Sequence, residues 1–452
     1  MKVFRKLPLS AALALALAVP AQAQSLVELF ESARAYDASY QAAKAQYEAN
    51  KSKADQALAL LLPTSNLVLS VNRAGLDYST STPGTPVTNV NYTRWYTTQT
   101  AALTASQPLY RPANLAAYNQ SKKQLSQALA TLVSAEQELV VRISQAYFDV
   151  LASQDSLDFV KAQKTAVSEQ LASAKRNFEV GTATITDTRE AQARYDLVIA
   201  QEIAAENDLR VKRLALDQWV GLKNATPKPL AKSLELKPVQ PADPEQWVSA
   251  SETIHPGILN AQLAQDIAKL EIERARAGHR PTVDLQAGYA GTRNIDGTAT
   301  SGATPFSSHV ISPSMSVVMT VPIFAGFATE NRYKETVSLE EKAKNDLEAA
   351  RRNVAQATRA AYFGVVSGIG QVKALEAAEA SSQVALDANK LGYTVGVRIN
   401  IDVLNSQSQL FQTKRDLAKA RYDVLVGGLK LRQANGTLKI EDLESVNALL
   451  AK

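Results

Sequence analysis

VGTATITDTREAQ, residues 180–192, and VGVRINIDVLNSQ, residues 395–407, are two versions of one sequence. In each of them a Val-Gly pair is followed by an aspartate six residues after the glycine. The separation of Gly181 from Gly396 therefore equals that of Asp187 from Asp402. Glycine marks a break between helical segments, and a constant offset marks an internal repeat. The chain is therefore predicted to contain two helical hairpins of the same design.

The same offset recurs elsewhere along the chain. The tripeptide AYF occurs at 146–148 and again at 361–363, with the same separation as the two glycines. Prolines that end short alternating segments recur at nearly this offset, Pro63 with Pro281 and Pro108 with Pro322. Each repeat is expected to contain a helix, a β-hairpin, a long helix, a turn and a return helix. The predicted order is a signal peptide (1–23), a first repeat (24–220), an equatorial linker with little regular structure (221–245), a second repeat (246–436) and an equatorial C-terminal tail (437–452).

The N-terminus has the pattern of a secretory signal peptide. Lys2, Arg5 and Lys6 precede an apolar run, and small residues around Ala23 form a cleavage site. The formal net charge is only +5, so nothing in it favours a nucleic-acid partner. The chain has no cysteine, which excludes disulfides, thiolate metal sites and a lipid-modified cysteine. No later apolar run reaches the roughly 18 residues of a transmembrane helix.

Helical patterns account for most of both repeats. Residues 113–180 contain neither glycine nor proline and repeat apolar residues at intervals typical of heptads. This pattern predicts a helix about 100 Å long. Residues 328–395 match it in length, although three glycines are expected to loosen the middle. Segments 25–62 and 187–219 are about half as long, which predicts two short helices stacked end to end beside one long helix.

Four short segments alternate apolar and polar residues, as amphipathic strands do. In Thr282–Arg293, Val283, Leu285 and Tyr289 share one face, opposite Asp284. Each segment has about the ten residues that a tilted membrane strand needs. Aromatic side chains near the strand ends are typical of the girdles of outer-membrane barrels. These candidate membrane-interface residues are Tyr92, Trp95, Tyr96, Tyr110, Phe324 and Phe327.

The four strands also predict an oligomer. Four strands cannot close a barrel, and an open edge in lipid leaves backbone groups without hydrogen-bond partners. Two chains would give eight strands and an interior that side chains fill, whereas three chains give twelve strands around a polar lumen. A soluble hairpin with one dry face remains possible from the alternation alone. We expect an α+β membrane protein in which a homotrimer forms the barrel within outer-membrane lipid.

Several pieces of the sequence, in this order, resemble the TolC family of trimeric outer-membrane export channels. These pieces are NFEVGTATITD (177–187), the paired strand ends QPLY and VPIF, YTVGVRINIDVLN (393–405) and ANGTL (434–438). The resemblance implies a twelve-stranded outer-membrane β-barrel continued by a long α-helical coiled-coil barrel in the periplasm. It also implies export of small molecules or proteins by docking to a periplasmic adaptor (membrane fusion) protein and an inner-membrane translocase of the ABC, RND or MFS type. Because it has no cysteine, the chain resembles the unlipidated branch of the family.

The resemblance further implies roles for residues of the two hairpin turns. Asp402 is implied at the constriction of a periplasmic gate, and Asn405 stands where several relatives have a second aspartate. A ring of Asp402 carboxylates is a possible divalent-cation site, and no other metal and no cofactor are expected. The implied gate links are Tyr393, Arg398, Thr186 and Asp187. The residues implied to dock the adaptor at the tips are Gly181, Thr182, Gly396 and Val397.

Two other classes of protein fit parts of this pattern. A periplasmic coiled-coil adaptor or scaffold would share the long hairpins, but it would also need a β-sandwich or a lipoyl-like module, which the sequence lacks. An enzyme would need a catalytic constellation. His255, His279 and His309 have no carboxylate or hydroxyl spacing typical of a triad or a metal site. We therefore expect no enzymatic activity, and the sequence leaves the cargo open.

Overall fold

The computed structural model describes residues 23–80, 90–231, 236–298 and 306–451. Apart from its last residue, the expected signal peptide lies outside the described residues. The chain divides into two compact units, each assembled from separate segments. The first unit comprises Met1–Gln46, Leu129–Asn260 and Glu348–Lys452, and the second comprises Tyr47–Ala128 and Ala261–Leu347.

Two long helices dominate the described secondary structure. The helices of the first repeat are α1 (Leu26–Tyr36), α2 (Ala38–Ala59), α3 (Pro112–Glu179) and α4 (Ile185–Val220). The later helices are α5 (Pro244–Ile254), α6 (Pro256–Arg276), α7 (Ala328–Thr394), α8 (Asn400–Ala434) and α9 (Ile440–Asn447). Helix α3 has 68 residues and α7 has 67, as the heptad pattern predicts. Among the described residues, no helix is both long and apolar enough to cross a membrane.

The four strands form one antiparallel sheet in the order β1-β2-β3-β4. Their bounds are β1 (Thr64–Thr80), β2 (Val90–Tyr110), β3 (Thr282–Ile295) and β4 (Ser308–Thr320). The register brings Leu67, Leu103 and Tyr289 side by side, so one face of the sheet is largely apolar, as the alternation predicts. The strands are longer than the expected ten residues, because pairs of polar residues continue the ladder beyond the apolar stretch.

The first helical segment is broken, where the sequence predicted one continuous helix over 25–62. Asp37 separates α1 from α2 and is almost fully buried. One carboxylate oxygen accepts a hydrogen bond from the main-chain nitrogen of Tyr40 at 2.7 Å, and the other pairs with Arg142 at 2.9 Å. Aspartate side chains stabilise helix starts in this way. Asp37 therefore ends one helix and begins the next.

The main hydrophobic core of the first unit lies where α1, α3, α4, α8 and α9 meet. Tyr147 and Phe148, part of the repeated AYF tripeptide, are buried there, with their rings edge to face and their centroids 5.4 Å apart. The Tyr147 hydroxyl donates a hydrogen bond to the main-chain oxygen of Lys228 at 2.9 Å. This hydrogen bond holds Lys228, in the segment predicted to be a linker, on the core.

The glycines of α7 do not loosen this helix, contrary to the expectation from the sequence. The helix is continuous through Gly364, Gly368 and Gly370. A Cβ atom at Gly368 would lie 2.9 Å from a methyl group of Val424 in α8. At this position glycine allows two helices to pack closely, which the sequence of α7 alone could not show.

Gly436, just after the end of α8, gives a first testable prediction. Its φ is +81°, and a Cβ atom there would lie 2.5 Å from the Cα atom of His255. Gly396 has a φ of +79° but no such neighbour within 4 Å. Alanine at either position incurs the left-handed backbone strain of roughly 1–2 kcal/mol. Only Gly436→Ala must also displace the main chain of His255, at an additional cost of about 1–3 kcal/mol.

We therefore expect Gly436→Ala to lower the melting temperature of the purified protein clearly more than Gly396→Ala does. Thermal unfolding followed by circular dichroism would measure both variants. Equal melting temperatures would contradict the close contact between Gly436 and His255.

A partly buried carboxyl group between α3 and α8 gives a prediction about pH. The Tyr422 hydroxyl donates a hydrogen bond to Asp155 at 2.6 Å. Burial raises the pKa of Asp155 above its usual range, and the hydrogen bond from Tyr422 only partly opposes this. The folded state thus holds this proton more tightly than the unfolded state does, so the contribution to stability is lost as the pH rises through the folded pKa.

Asp155→Asn keeps an oxygen that can accept from Tyr422 but carries no charge at any pH. We expect the melting temperature of the wild type to fall relative to that of Asp155→Asn as the pH rises from about 4 upward. Melting curves of both proteins across this range would measure the difference. Parallel pH profiles would show that Asp155 carries no unusual proton.

Candidate functional site

The two hairpin turns have the same backbone structure. After α3, Gly181 has a φ of +79°, and the main-chain nitrogen of Thr182 donates to the oxygen of Asn177 at 2.8 Å. After α7, Gly396 has the same φ, and the nitrogen of Val397 donates to the oxygen of Gly392 at 2.9 Å. Left-handed glycines with such backward hydrogen bonds commonly end helices. The repeated Val-Gly pair therefore encodes two matching turns.

The two return helices begin differently. At α4, the hydroxyl of Thr184 accepts a hydrogen bond from the nitrogen of Asp187 at 3.2 Å, and Asp187 Oδ2 accepts from the nitrogen of Thr184 at 2.9 Å. This reciprocal capping box stabilises the helix start. At α8, the capping position is Ile399, which makes no such side-chain hydrogen bond. The equivalent aspartate, Asp402, is thus free of a capping role.

Asp402 instead pairs with Arg398 in its own chain. The distance between Arg398 Nη1 and Asp402 Oδ2 is 3.7 Å, and the arginine is mostly exposed. Exposed ion pairs of this length contribute little to stability, about 0–1 kcal/mol. Asp402 lies in the first turn of α8, where the helix dipole favours a negative charge. The carboxylate is therefore held at the tip by weak contacts only.

A network of amide side chains joins the second hairpin to the first. Asn400 is fully buried; its oxygen accepts a hydrogen bond from Gln170 of α3, and its nitrogen donates to the main-chain oxygen of Asp187 at 3.3 Å. The hydroxyl of Tyr393 accepts from Asn177 at 3.2 Å. We define Asn400, Gln170, Asn177 and Tyr393, with the oxygen of Asp187, as the inter-hairpin network.

Asn405 also contacts the first hairpin. Its side-chain oxygen accepts a hydrogen bond from Arg194 of α4 at 2.7 Å. Beside it, Leu404 is fully buried in a cluster that includes Val167 of α3 and Ala191 of α4. The start of α8 is therefore attached to the first hairpin by apolar packing as well as by hydrogen bonds.

Tyr393 and Asn405 were predicted from the sequence, but their hydrogen-bond partners, Asn177 and Arg194, were not. The helices are rich in amide and arginine side chains, so the sequence does not distinguish the few that make these contacts. Only the alignment of separate helices identifies Gln170, Asn177, Arg194 and Asn400. The signal that could have found Asn400 is its position one turn before Leu404 on the apolar face of α8.

The predicted docking residues lie on the exposed surface of the turns. Gly181, Thr182 and Gly396 are exposed, and Val397 retains 75% of its accessible surface. Thr186, a predicted gate link, is exposed in the first turn of α4. Exposed apolar side chains clustered at one place mark interaction surfaces. The neighbouring exposed apolar residues are Val180, Ile185, Val395 and Ile399.

The predicted interface aromatics take several orientations. Trp95 is exposed on the apolar face of the sheet, and Tyr96 follows it on the opposite face. Tyr110 ends β2 and is exposed, while Phe324 and Phe327 are exposed with ring centroids 5.5 Å apart. Tyr92 pairs with Tyr78 in the ladder, and its side chain lies outside the described part. Within the described ranges no group of three histidine, aspartate or glutamate residues could hold a metal.

Comparison with known proteins agrees with this architecture. The family described as outer membrane efflux protein matches residues 29–222 and 247–437, close to the two repeats. The outer membrane protein TolC of Vibrio cholerae is 32% identical over 427 residues, which cover 94% of each chain. The alkaline protease secretion protein AprF of Pseudomonas aeruginosa is 31% identical, over 94% of this chain and 87% of the relative.

Solved structures show the same fold at lower identity. The outer membrane protein VceC of Vibrio cholerae superposes with a TM-score of 0.72 at 18% identity, covering 91% of this chain and 96% of VceC. The CmeC outer membrane channel of Campylobacter jejuni gives 0.76 at 14% identity, covering 94% and 90%. A helix-rich chain with one four-stranded sheet is consistent with a trimeric barrel continued by a helical tunnel. These findings favour a channel over an adaptor or scaffold.

The repeat, the sheet with one apolar face and the matched turns thus agree with the comparisons. The chain belongs to the outer membrane efflux protein family, which it matches over most of its length, and it is an export channel of the outer membrane that extends into the periplasm.

Proposed function

We propose that three copies of this chain form a twelve-stranded barrel and a tunnel whose periplasmic end is a gate. The support for the trimer is the sheet order, which leaves β1 and β4 at the two edges. Open edges in lipid lack hydrogen-bond partners, and pairing of β4 in one copy with β1 in the next removes all of them. Three copies are the smallest number whose strands enclose a lumen. The channel carries cargo without catalytic chemistry.

The gate is proposed to narrow at Asp402. A threefold axis at the tip would bring three Asp402 carboxylates together in one ring. The weak tie to Arg398 leaves these carboxylates available to a cation, as acidic rings in cation-selective pores are. Asn405 lies one turn further along α8, but its oxygen is already bound to Arg194. The proposed constriction is therefore a single ring of carboxylates.

Arg398 is proposed to link each chain to its neighbour. Its own ion pair is long, so another carboxylate can replace Asp402 at little cost. Asp187 uses Oδ2 for the capping box, which leaves Oδ1 for the Arg398 of the neighbouring chain. Thr186, exposed beside Asp187, is the proposed second acceptor. Tyr393 is proposed to act within its own chain as well, through Asn177.

The exposed turns are proposed to dock a periplasmic adaptor, which connects the channel to an inner-membrane translocase. Support comes from the exposed Gly181, Thr182, Gly396 and Val397, which offer bare main chain and an apolar side chain. Such surfaces suit a partner made of helical hairpins. The names of the relatives include both efflux and protease secretion, and we propose that either small molecules or proteins are the cargo.

The observation that supports the proposed gate is a difference between the two equivalent aspartates. Asp187 is held in a capping box, whereas Asp402 is not. The chain has no cysteine, so a disulfide can test the link directly. We expect Arg398→Cys combined with Asp187→Cys to form covalent trimers on oxidation, visible on non-reducing gels. Oxidation should also lower single-channel conductance in planar bilayers, and a reductant should restore it.

The matched control combines Arg398→Cys with Asp196→Cys. Asp196 lies nine residues further along α4, about 13 Å away, which is beyond disulfide reach. This pair should leave the chains separate. A disulfide formed only within one chain, or equal cross-linking of both pairs, would contradict the proposed link.

A further inference from the structure

The apolar face of the sheet ends in basic side chains. From the proline end of β3, Val283, Leu285 and Tyr289 are followed on the same face by Gly291 and Arg293. The proline ends of the strands connect to helices, whereas segments 81–89 and 296–307 connect the opposite ends. Because the helical part of the channel extends into the periplasm, the opposite ends of the strands face the exterior. Arg293 therefore lies toward the external end of the strand.

The strand register aligns other residues with Arg293. One row across the four strands is Val71, Gln99, Arg293 and His309, with each residue directly opposite the next. The next row outward on the same face contains Arg73. All three basic side chains are exposed. We define Arg73, Arg293 and His309, which lie in these two neighbouring rows, as the basic row.

Small residues beneath the basic row leave a shallow groove. The row directly inward is Leu69, Ala101, Gly291 and Ile311, so two small residues lie between two large apolar ones. The residues lining this groove include Gln99, Arg293 and His309 at its outer end. A groove with apolar walls and a basic outer end is complementary to a lipid, with the acyl chain in the groove and the anionic headgroup at the basic end.

The height of the basic row matches the boundary of the membrane. Ten residues separate Val283 from Arg293, which is about 33 Å along a strand. At a tilt of roughly 40° this corresponds to a height of about 25 Å, the height of the apolar band of outer-membrane barrels. Trp95, of a residue type enriched at membrane interfaces, lies beside Arg73, whose guanidinium is 5.7 Å from the ring centroid.

The charges of the basic row are not neutralised nearby. None of the three side chains forms an ion pair with a residue in the described part of the chain. Asp77 lies on the same face of β1, four residues further outward than Arg73. The connecting segments 81–89 and 296–307 contain one acidic residue, Asp296, just beyond the end of β3. The basic row itself is therefore a site of positive charge without an ion pair in the described part of the chain.

We propose that the basic row binds the phosphate of a lipid headgroup in the outer leaflet, with an acyl chain of the same lipid in the groove. Arg293 and Arg73 would donate hydrogen bonds to the phosphate oxygens, since guanidinium groups match phosphate geometry. His309 and Gln99 would add donors from the same row. Lipids bound in this way on the outside of the barrel would fix its height in the membrane.

The test uses the purified oligomer in detergent, titrated with bisphosphorylated lipid A and followed by native mass spectrometry. The wild type is expected to bind this lipid clearly more tightly than the same lipid after removal of its phosphates. The double substitution Arg73→Gln and Arg293→Gln is expected to weaken binding by about 30-fold, since two cations near a phosphate surface are lost. Inorganic phosphate should not displace the lipid, because it lacks the acyl chains.

Arg94→Gln is the control, since Arg94 lies on the opposite face of the sheet, five residues further outward along β2 than Gln99. This variant should bind the phosphorylated lipid as the wild type does. Equal binding of phosphorylated and dephosphorylated lipid A by the wild type would overturn the proposal even if the double variant failed to assemble. Unchanged binding by an assembled double variant, or displacement of the lipid by inorganic phosphate, would overturn it as well.

Discussion

Asp402→Asn is expected to abolish the block of the channel by divalent cations. In the proposed gate, three Asp402 carboxylates around a narrow axis would repel one another, and a bound cation would relieve that repulsion. Millimolar divalent cations on the periplasmic side should therefore lower the conductance of the wild type in planar bilayers, and a chelator should restore it. The asparagine ring has nearly the same size but no charge, so the open-channel conductance should change little.

Two companion variants follow from the contacts of this site. Asn405→Asp adds a second carboxylate ring, but Arg194 already binds this side chain and would neutralise much of the new charge. The combination with Arg194→Gln should therefore strengthen the block more than Asn405→Asp alone. A divalent block that survives Asp402→Asn would place the constriction elsewhere.

Asn400→Leu is expected to open the resting channel. This residue is fully buried, and its amide joins Gln170 of α3 to the main-chain oxygen of Asp187. Leucine has a similar size but leaves both of these partly buried groups without their partner, at a cost of up to about 1–3 kcal/mol each. The attachment between the two hairpins is thereby weakened. Resting conductance in planar bilayers should rise severalfold, and the tip should become sensitive to protease.

Asn389→Ala is the matched control for this prediction. Asn389 donates a hydrogen bond to Ser406, so it joins α7 to α8 within the second hairpin only. Its loss should destabilise that hairpin slightly without separating it from the first. Asn400→Leu would be uninformative only if its helices failed to form, which circular dichroism of the purified trimer measures. Wild-type conductance in a well-folded Asn400→Leu protein would show that the inter-hairpin network does not hold the gate closed.

Periodicity and repeat spacing predicted the two long helices and the four strands of this chain, but not every helix boundary. The bounds of α3 and α7 agree closely with the heptad pattern, because an uninterrupted apolar stripe is a local signal. The break at Asp37 was missed because its cause is a buried ion pair with Arg142, which lies far away in the sequence. Gly368 was misjudged for the same kind of reason, since its role depends on Val424 of another helix.

The candidate site was predictable in position but not in detail. The Val-Gly pairs located both turns, because the left-handed glycine conformation is a property of single residues. The capping role of Asp187 could have been found from Thr184 three residues before it, which is a capping-box spacing. The contacts of Asn400 could not, since they require the axial alignment of helices that belong to different repeats of the sequence.

The missing cap at Ile399 has a consequence for the timing of opening. A helix start without a capping side chain frays more easily, by about 1 kcal/mol, than one that has it. The first turn of α8 should therefore unwind roughly fivefold more often than that of α4 in each chain. If three chains move as one, their separate gains multiply, and the opening equilibrium of the trimer shifts by on the order of 100-fold. A single side chain that differs between the two repeats would thus set how often the proposed gate opens spontaneously.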